Sequence, residues 1–131
     1  MHRRLLKAGA ACAAISVILG AFAAHALKSR LSPDSLNIFD TAVHYQFYHG
    51  IAILLTGILY KEFPVRLTFW AGRFFIWGTI LFSGSLYLLT YLKHIGKKEF
   101  FWIGAITPFG GAAFIAGWIL LLRIFLKKEN H

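Results

Sequence analysis

Four apolar stretches, separated by short segments that carry the basic residues, constrain this chain more than any other feature. They cover about residues 5–26, 38–60, 71–92 and 102–123. A helix needs about 20 residues to cross the hydrocarbon core of a bilayer. The second stretch reaches that length only if the polar residues between Asp40 and His49 enter the membrane or its interface. The sequence therefore predicts an all-α fold, a polytopic membrane protein with a four-transmembrane-helix bundle, in a single domain of residues 1–131.

The composition supports a membrane environment. Hydrophobic residues make up 58% of the chain and charged residues only 15%, whereas an ordinary soluble domain carries about 25% charged residues. The net charge of +9 is interpreted as a topology signal and as contact with anionic lipid, not as a nucleic-acid surface. We therefore expect the lipid bilayer as the surroundings of this protein and no nucleic acid among its partners.

The basic residues are distributed unevenly between the two ends of the apolar stretches. Nine lie in the N-terminal tail, the second connection and the C-terminal tail, and five lie in the other two connections. Because cytoplasmic segments carry more Lys and Arg, this distribution predicts that both termini are cytoplasmic. Ala24-His25-Ala26 resembles a signal-peptide cleavage site, but the apolar run before it, about 17 residues, exceeds the usual core, so we expect the first helix to be retained.

Small residues predict where the helices pack closely. In the first helix they recur at every fourth position, and shorter sets occur at Gly84 in the third helix and at Gly117 in the fourth. Such rows allow transmembrane helices to approach through their backbones. The row in the first helix consists of Ala8, Cys12, Ser16, Gly20 and Ala24. We interpret Cys12 as a small packing residue without a catalytic role.

Two proline-containing segments predict helix boundaries. Ser32-Pro33-Asp34 has a capping hydroxyl, a first-turn proline and an acidic residue at the positive end of the helix dipole, so a helix is expected to begin there. Thr107-Pro108 is a second such pair. Either the fourth helix restarts at this pair or Pro108 kinks it, and Gly110-Gly111 loosens the segment further.

The only dense polar cluster at membrane depth lies at the start of the second helix. At 100° per residue, Asp40, His44 and Tyr48 form one line, Tyr45 and His49 form a second, and Gln46 points elsewhere. The spacing places Asp40 and His44 to hydrogen-bond with one another. His25, at the end of the first helix, is expected at a similar depth because the connection is short.

Three interpretations of this cluster stay open. The side chains can form a hydrogen-bonded cluster that locks two helix ends together, since intramembrane ionisable groups usually face a partner or the bundle interior. They can instead hold a metal, with Asp40, His44 and His25 as ligands, although His44 and His49 diverge by roughly 140° and would not chelate together. They can also line a path for protons, ions or a small molecule. We expect neither a bound metal nor a cofactor.

Four sequence blocks resemble one known family. They are residues 20–25 (GAFAAH), 39–49 (FDTAVHYQFYH), 81–87 (LFSGSLY) and 104–111 (GAITPFGG). In this order they are similar to the small bacterial inner-membrane proteins of the YgdD- and YwdK-like family, which has a mitochondrial counterpart in animals. The resemblance implies four transmembrane helices and a bacterial inner-membrane location, but no established activity and no catalytic residues. Where that family often has Arg, this chain has His44, which weakens a permanent charge pair with Asp40.

The function expected from the sequence is that of a non-enzymatic integral membrane protein. The chain has no catalytic, Walker or dinucleotide-binding motif. We expect it to act by packing against another membrane component, either a membrane-protein partner or further copies of itself. The alternatives are a small carrier or channel-like protein, or a metal- or quinone-binding accessory subunit, that uses the Asp40 and histidine cluster.

Overall fold

Local capping signals determine where the helices begin. In the computed structural model, which describes residues 1–129 and the side chains up to Lys127, the Nδ1 atom of His2 accepts from the backbone N–H of Leu5 at 3.4 Å. At the second start, the Ser32 hydroxyl oxygen accepts from the backbone N–H of Ser35 at 3.2 Å. Pro33 occupies the first turn of that helix, as predicted.

The described residues form four long helices. Helix α1 covers Arg3–Phe22 and continues as a π-helical turn over Ala23–Leu27. Helix α2 covers Pro33–Leu59, and α3 covers Arg66–His94. A 3₁₀ helix over Lys98–Ala105 leads into α4, which covers Thr107–Glu129. The all-α prediction is confirmed for residues 1–129, and α2 and α3 both begin about five residues before the predicted spans.

Three of these helical segments are long and apolar enough to cross a membrane. They are Arg3–Leu27, Arg66–His94 and Lys98–Lys127. Helix α2 has 27 residues, so it is about 40 Å long at 1.5 Å per residue. Its length is sufficient for a crossing, and it is the polar composition of its first half that separates it from the other three.

Each helix packs against the next in sequence, and α1 also reaches α3 near its start, where a Cβ atom on Gly72 would contact Leu5. The core lies where the four helices converge, and its buried residues are Leu5, Ala52, Ile53, Ala71, Phe75, Phe114, Leu121 and Ile124. A second cluster near the other end joins the π-helical turn to α2 through Ala23, Phe39 and Val43. An ion pair of 2.9 Å between Lys93 and Asp34 closes that end.

The close contact between α1 and α2 is made by glycines. A Cβ atom on Gly9 would lie 2.6 Å from the backbone N of Leu54, and one on Gly50 would lie 3.0 Å from the backbone N of Ala13. Ser16 is buried, and a Cβ atom on Gly20 would lie 3.4 Å from Val43. The predicted row is therefore correct in its middle, but Gly9 was missed and Ala24 is exposed.

Of the two packing glycines predicted in the third and fourth helices, one packs closely and the other does not. A Cβ atom on Gly117 would lie 2.6 Å from the Phe75 ring, so Gly117 is a packing residue as predicted. Gly84 is exposed, and a Cβ atom there would meet nothing within 4 Å, so its predicted packing role is wrong. The reason is rotational: the neighbouring Ser83 and Ser85 are the residues of α3 that turn inward.

The segment around Pro108 is a restart rather than a kink. Helix α4 begins at Thr107 after the 3₁₀ helix ends at Ala105, so Pro108 occupies the first turn, where its missing N–H costs nothing. A Cβ atom on Gly110 would collide with the backbone of Phe82, whereas one on Gly111 would lie 4.0 Å from the Phe82 ring. Gly110 thus serves close packing between α3 and α4.

Candidate functional site

Gln46 lies at the centre of a polar network that joins three helices. Its side chain is only 6% exposed. The amide Nε2 donates to the backbone carbonyl of Cys12 on α1 at 3.0 Å, and the Oε1 atom accepts from the Tyr87 hydroxyl on α3 at 2.6 Å. Gln46 points away from the Asp40 line, as predicted from the helical geometry, and the direction it takes is towards the bundle interior.

Cys12 is not only a small packing residue but also takes part in this hydrogen-bond network. Its thiol donates to the backbone carbonyl of Gln46 at 3.5 Å, while its own carbonyl accepts from the Ser16 hydroxyl at 2.8 Å and from Gln46. The two helices are therefore joined by reciprocal hydrogen bonds at the depth of Gln46. The structure places Cys12 in the predicted helix contact, with a specific polar partner.

His49 is the buried histidine of the predicted cluster, and its hydrogen bonds determine its tautomer. The Trp118 indole Nε1–H donates to the Nε2 atom of His49 at 3.1 Å. Because an indole N–H can only donate, Nε2 is unprotonated, and the proton lies on Nδ1, which donates to the Tyr45 carbonyl at 2.8 Å. The ring also stacks on Phe114 at 3.5 Å, with 9° between the planes. Both ring nitrogens of His49 are thus occupied.

Two serines of α3 complete the polar core. The Ser83 hydroxyl donates to the backbone carbonyl of Ala42 at 2.7 Å, and the Ser85 and Thr107 hydroxyls share a hydrogen bond of 2.6 Å. Within residues 1–127, every buried side-chain nitrogen or oxygen atom has a hydrogen-bond partner. Polar side chains thus join neighbouring helices throughout the bundle, which is a common means of association between helices in membranes.

The remaining residues of the predicted cluster lie at the edge of the bundle or on its outside. His44 and Tyr48 are exposed, and their rings lie 6.3 Å apart and nearly parallel. His25 is exposed, and Asp40 is half-buried in a groove of about 260 Å³ that Lys28 also lines. Tyr45 is 40% exposed and stacks on Phe82 at 4.6 Å.

The predicted pair of Asp40 and His44 is wrong. Among the described residues, no hydrogen bond or ion pair joins these two side chains. Spacing of four residues does place them on one face of α2, but Asp40 lies in the groove that Gly20 also lines, whereas His44 is exposed on the outside of the helix. Among the side chains that the structure describes, up to Lys127, no group of three or more His, Cys, Asp or Glu is arranged to hold a metal ion.

Two hydrogen-bond partners of α2 were missed from the sequence, the half-buried Tyr87 and Trp118, whose side chain is 46% exposed. Tyr87 and Trp118 each place a polar tip against α2, at Gln46 and His49 respectively. Tyrosine and tryptophan tend to find a hydrogen-bond partner when they are buried. That tendency singles them out within apolar helices, but nothing in their spacing identifies the partner.

The outward face of α2 is called here the outer stripe, and it changes character along its length. Its first half is polar and its second half is apolar, with exposed fractions of 57% at Tyr48 and 51% at Ile58. Its residues are Thr41, His44, Tyr48, Ile51, Leu55 and Ile58, all exposed. The site thus has two parts, a closed polar core and an exposed stripe that carries the polar side chains of His44 and Tyr48.

Comparison with known proteins identifies the family of this chain. It is 41% identical over 114 residues to the UPF0382 membrane protein SH2409 of Staphylococcus haemolyticus, covering 87% of this chain and 88% of that protein. It is also 40% identical over 119 residues to the UPF0382 membrane protein SAB0533 of Staphylococcus aureus, covering 91% and 92%. No solved structure matches. Residues 19–111, which contain Gln46, His49 and the outer stripe but not Cys12 or Trp118, match the family described as "Protein of unknown function (DUF423)", and the chain belongs to that family.

Proposed function

We propose that this protein crosses the cell membrane four times and acts, without catalysis, by docking through the outer stripe. Its first partner is a second copy of the same chain. The observation that carries the proposal is the contrast between the two parts of the site: every buried polar side-chain atom of the described core is paired, whereas His44 and Tyr48 are exposed on the outer stripe.

The packing of α2 supports the fourth crossing. Helix α2 lies between α1 and α3, contacting α1 from Gly57 up to Val43 and α3 from Thr56 up to Phe39. Because α1 and α3 are long and apolar enough to span a membrane, the helix between them occupies the same slab. The distribution of basic residues supports cytoplasmic termini, since Arg3, Arg4, Lys61 and Arg66 are at one end of the bundle.

The depth of the outer stripe supports a docking role. Asp34 marks one end of the bundle through its ion pair with Lys93. His44 lies about 15 Å further along α2. The hydrocarbon core is about 30 Å thick, so His44 and Tyr48 lie within it when α2 crosses. Polar side chains that face lipid at this depth are costly, and they usually pair or face a protein partner. A partner helix against the stripe would relieve this cost.

Symmetry supports a second copy as that partner. Two copies related by a two-fold axis along the membrane normal bring identical residues of α2 together at the same depth. A neutral imidazole and a phenol each carry both a donor and an acceptor. His44 and Tyr48 of one copy can therefore hydrogen-bond with the same two residues of the other. The carrier, channel and metal- or quinone-binding roles stay predictions from the sequence.

Cysteine cross-linking in native membranes tests this proposal. In a Cys12→Ser background, which keeps a hydroxyl donor at position 12, we expect Tyr48→Cys to form a disulfide-linked dimer on mild oxidation. The matched control is Ile18→Cys, which is 66% exposed on α1, outside the stripe. Equal cross-linking at both positions, or none at Tyr48→Cys, contradicts the dimer. A photo-cross-linker at position 48 that captures a different membrane protein instead would contradict the second copy as occupant.

A further inference from the structure

A basic cleft of about 380 Å³ lies between the start of α1 and the first turns of α3. Arg3, Arg4 and Arg73 line it, together with the aromatic residues Tyr60 and Phe69. No Asp or Glu is among the residues that line it. A cleft with three guanidinium groups and no carboxylate favours an anionic ligand, and guanidinium groups match the geometry of phosphate oxygens.

The walls of this cleft are held in place by contacts within the chain. The backbone N–H of His2 donates to the carbonyl of Gly57 at 2.9 Å, so the start of α1 is fixed to the end of α2. The His2 ring packs between Tyr60 at 5.3 Å and Phe69 at 5.6 Å. The Arg73 guanidinium carbon lies 5.1 Å from the centre of the Phe69 ring. An aromatic ring therefore positions the cation of Arg73, and no carboxylate lies among the residues that line the cleft.

An apolar groove adjoins the cleft on the side towards the middle of the bundle. It has a volume of about 360 Å³ and lies between α1 and α3, with Gln46 and Ile53 of α2 at its floor. Helix α2 packs against both α1 and α3, and its residues form the bottom of the groove between them. Ile76 lines both the cleft and the groove, so the two adjoin at this side chain. Ala11 and Ile80 line its outer edges.

We propose that the cleft and groove together bind one anionic phospholipid, with the phosphate among Arg3, Arg4 and Arg73 and an acyl chain along α1 and α3. The shape of the site carries this assignment, since the basic cleft suits an anionic head group and the adjoining apolar groove suits an acyl chain. A free phosphate would use only the cleft, and a neutral lipid would use only the groove. The site is independent of the outer stripe, because it lies between α1 and α3, whereas the stripe is the outward face of α2.

Lipid binding to the purified full chain in neutral detergent tests the head region. Native mass spectrometry measures the affinity for phosphatidylglycerol, for phosphatidylcholine with the same chains, and for inorganic phosphate. We expect one phosphatidylglycerol per chain and weaker binding of phosphatidylcholine. Arg73→Gln should weaken phosphatidylglycerol binding about fivefold, the loss typical of one basic contact with an anionic lipid. The matched control Arg66→Gln, on the same helix but lining a different cavity, should leave the affinity nearly unchanged.

A second pair of variants tests the groove. Ala11→Trp fills the groove, so it should reduce binding of phosphatidylglycerol that has long acyl chains. Ala14→Trp, exposed on the same helix and outside the groove lining, should not. The lipid assignment is overturned if phosphatidylcholine binds as tightly as phosphatidylglycerol, or if Arg66→Gln is as harmful as Arg73→Gln. It is also overturned if Ala11→Trp has no effect, or if inorganic phosphate displaces the lipid, which would identify a soluble phosphate as the ligand.

Discussion

The Trp118 indole on α4 donates a hydrogen bond to the His49 imidazole on α2 at 3.1 Å. This bond joins two helices that are not neighbours in sequence. It also fixes the proton of His49 on Nδ1, where the Tyr45 carbonyl accepts it. The pair therefore joins α4 to α2 and fixes the tautomer of a buried histidine, so removal of the indole donor tests how much this hydrogen bond stabilises the fold.

Replacing Trp118 by Phe should destabilise the bundle. The substitution keeps an aromatic ring against Phe75 but leaves Nε2 of His49 without its donor, and an unpaired buried polar atom costs about 1–3 kcal/mol. Thermal unfolding in detergent measures the loss. Trp77→Phe is the control, since Trp77 is 54% exposed on α3 and should unfold like the parent. Equal melting temperatures for the two variants would mean that the hydrogen bond does not stabilise the fold.

Gln46 and Tyr87 should show energetic coupling. Gln46→Leu and Tyr87→Phe remove the same 2.6 Å hydrogen bond from opposite sides, so the double variant should lose less stability than the sum of the single variants. Hydrogen bonds between helices in membranes show coupling energies of about 0.6 kcal/mol on average and about 1.7 kcal/mol at most. A double-mutant cycle on the free energy of unfolding measures this. The same cycle with Tyr91→Phe, at a residue 59% exposed on α3, should give additive losses.

Two glycines should respond in opposite ways to the same substitution. Gly9→Ala places a Cβ atom 2.6 Å from the backbone N of Leu54, so α1 and α2 must separate, and overpacking of this kind costs about 1–3 kcal/mol. Gly84→Ala meets nothing within 4 Å and should stabilise α3 by about 0.5–1 kcal/mol, because alanine is the better helix residue. Unfolding free energies in detergent compare the two. A loss at Gly84 equal to the loss at Gly9 would contradict the packing of α1 on α2.

Reporter fusions test the proposed orientation. A reporter that is active only in the periplasm should give no signal when it is fused after the C-terminus, because nine basic residues favour that side as cytoplasmic. The same reporter inserted near Asp34, in the first connection, should be active. Activity at the C-terminus alone would contradict the orientation. Activity at both positions, or at neither, would contradict the four crossings, because the first connection and the C-terminus would then lie on the same side of the membrane.

The helices themselves follow from local sequence. Apolar runs longer than the membrane is thick predict helices, and Ser32-Pro33 and Thr107-Pro108 mark two of their starts, because capping hydroxyls and first-turn prolines act on residues within one turn. The structure places α2 and α4 at these signals. The family was also accessible from sequence, since the four blocks that carried the resemblance lie within or beside the matched residues 19–111.

The rotation of α2 was not accessible from the sequence. Periodicity shows that Asp40, His44 and Tyr48 share one face and that Gln46 lies on another, but both faces contain polar and apolar residues. Tertiary packing decides between them: Gly9 and Gly50 allow the backbones of α1 and α2 to meet, which turns Gln46 and His49 inward and leaves His44 outside. The sequence of one helix determines which of its residues lie together, whereas the direction they face depends on how closely its neighbours can approach.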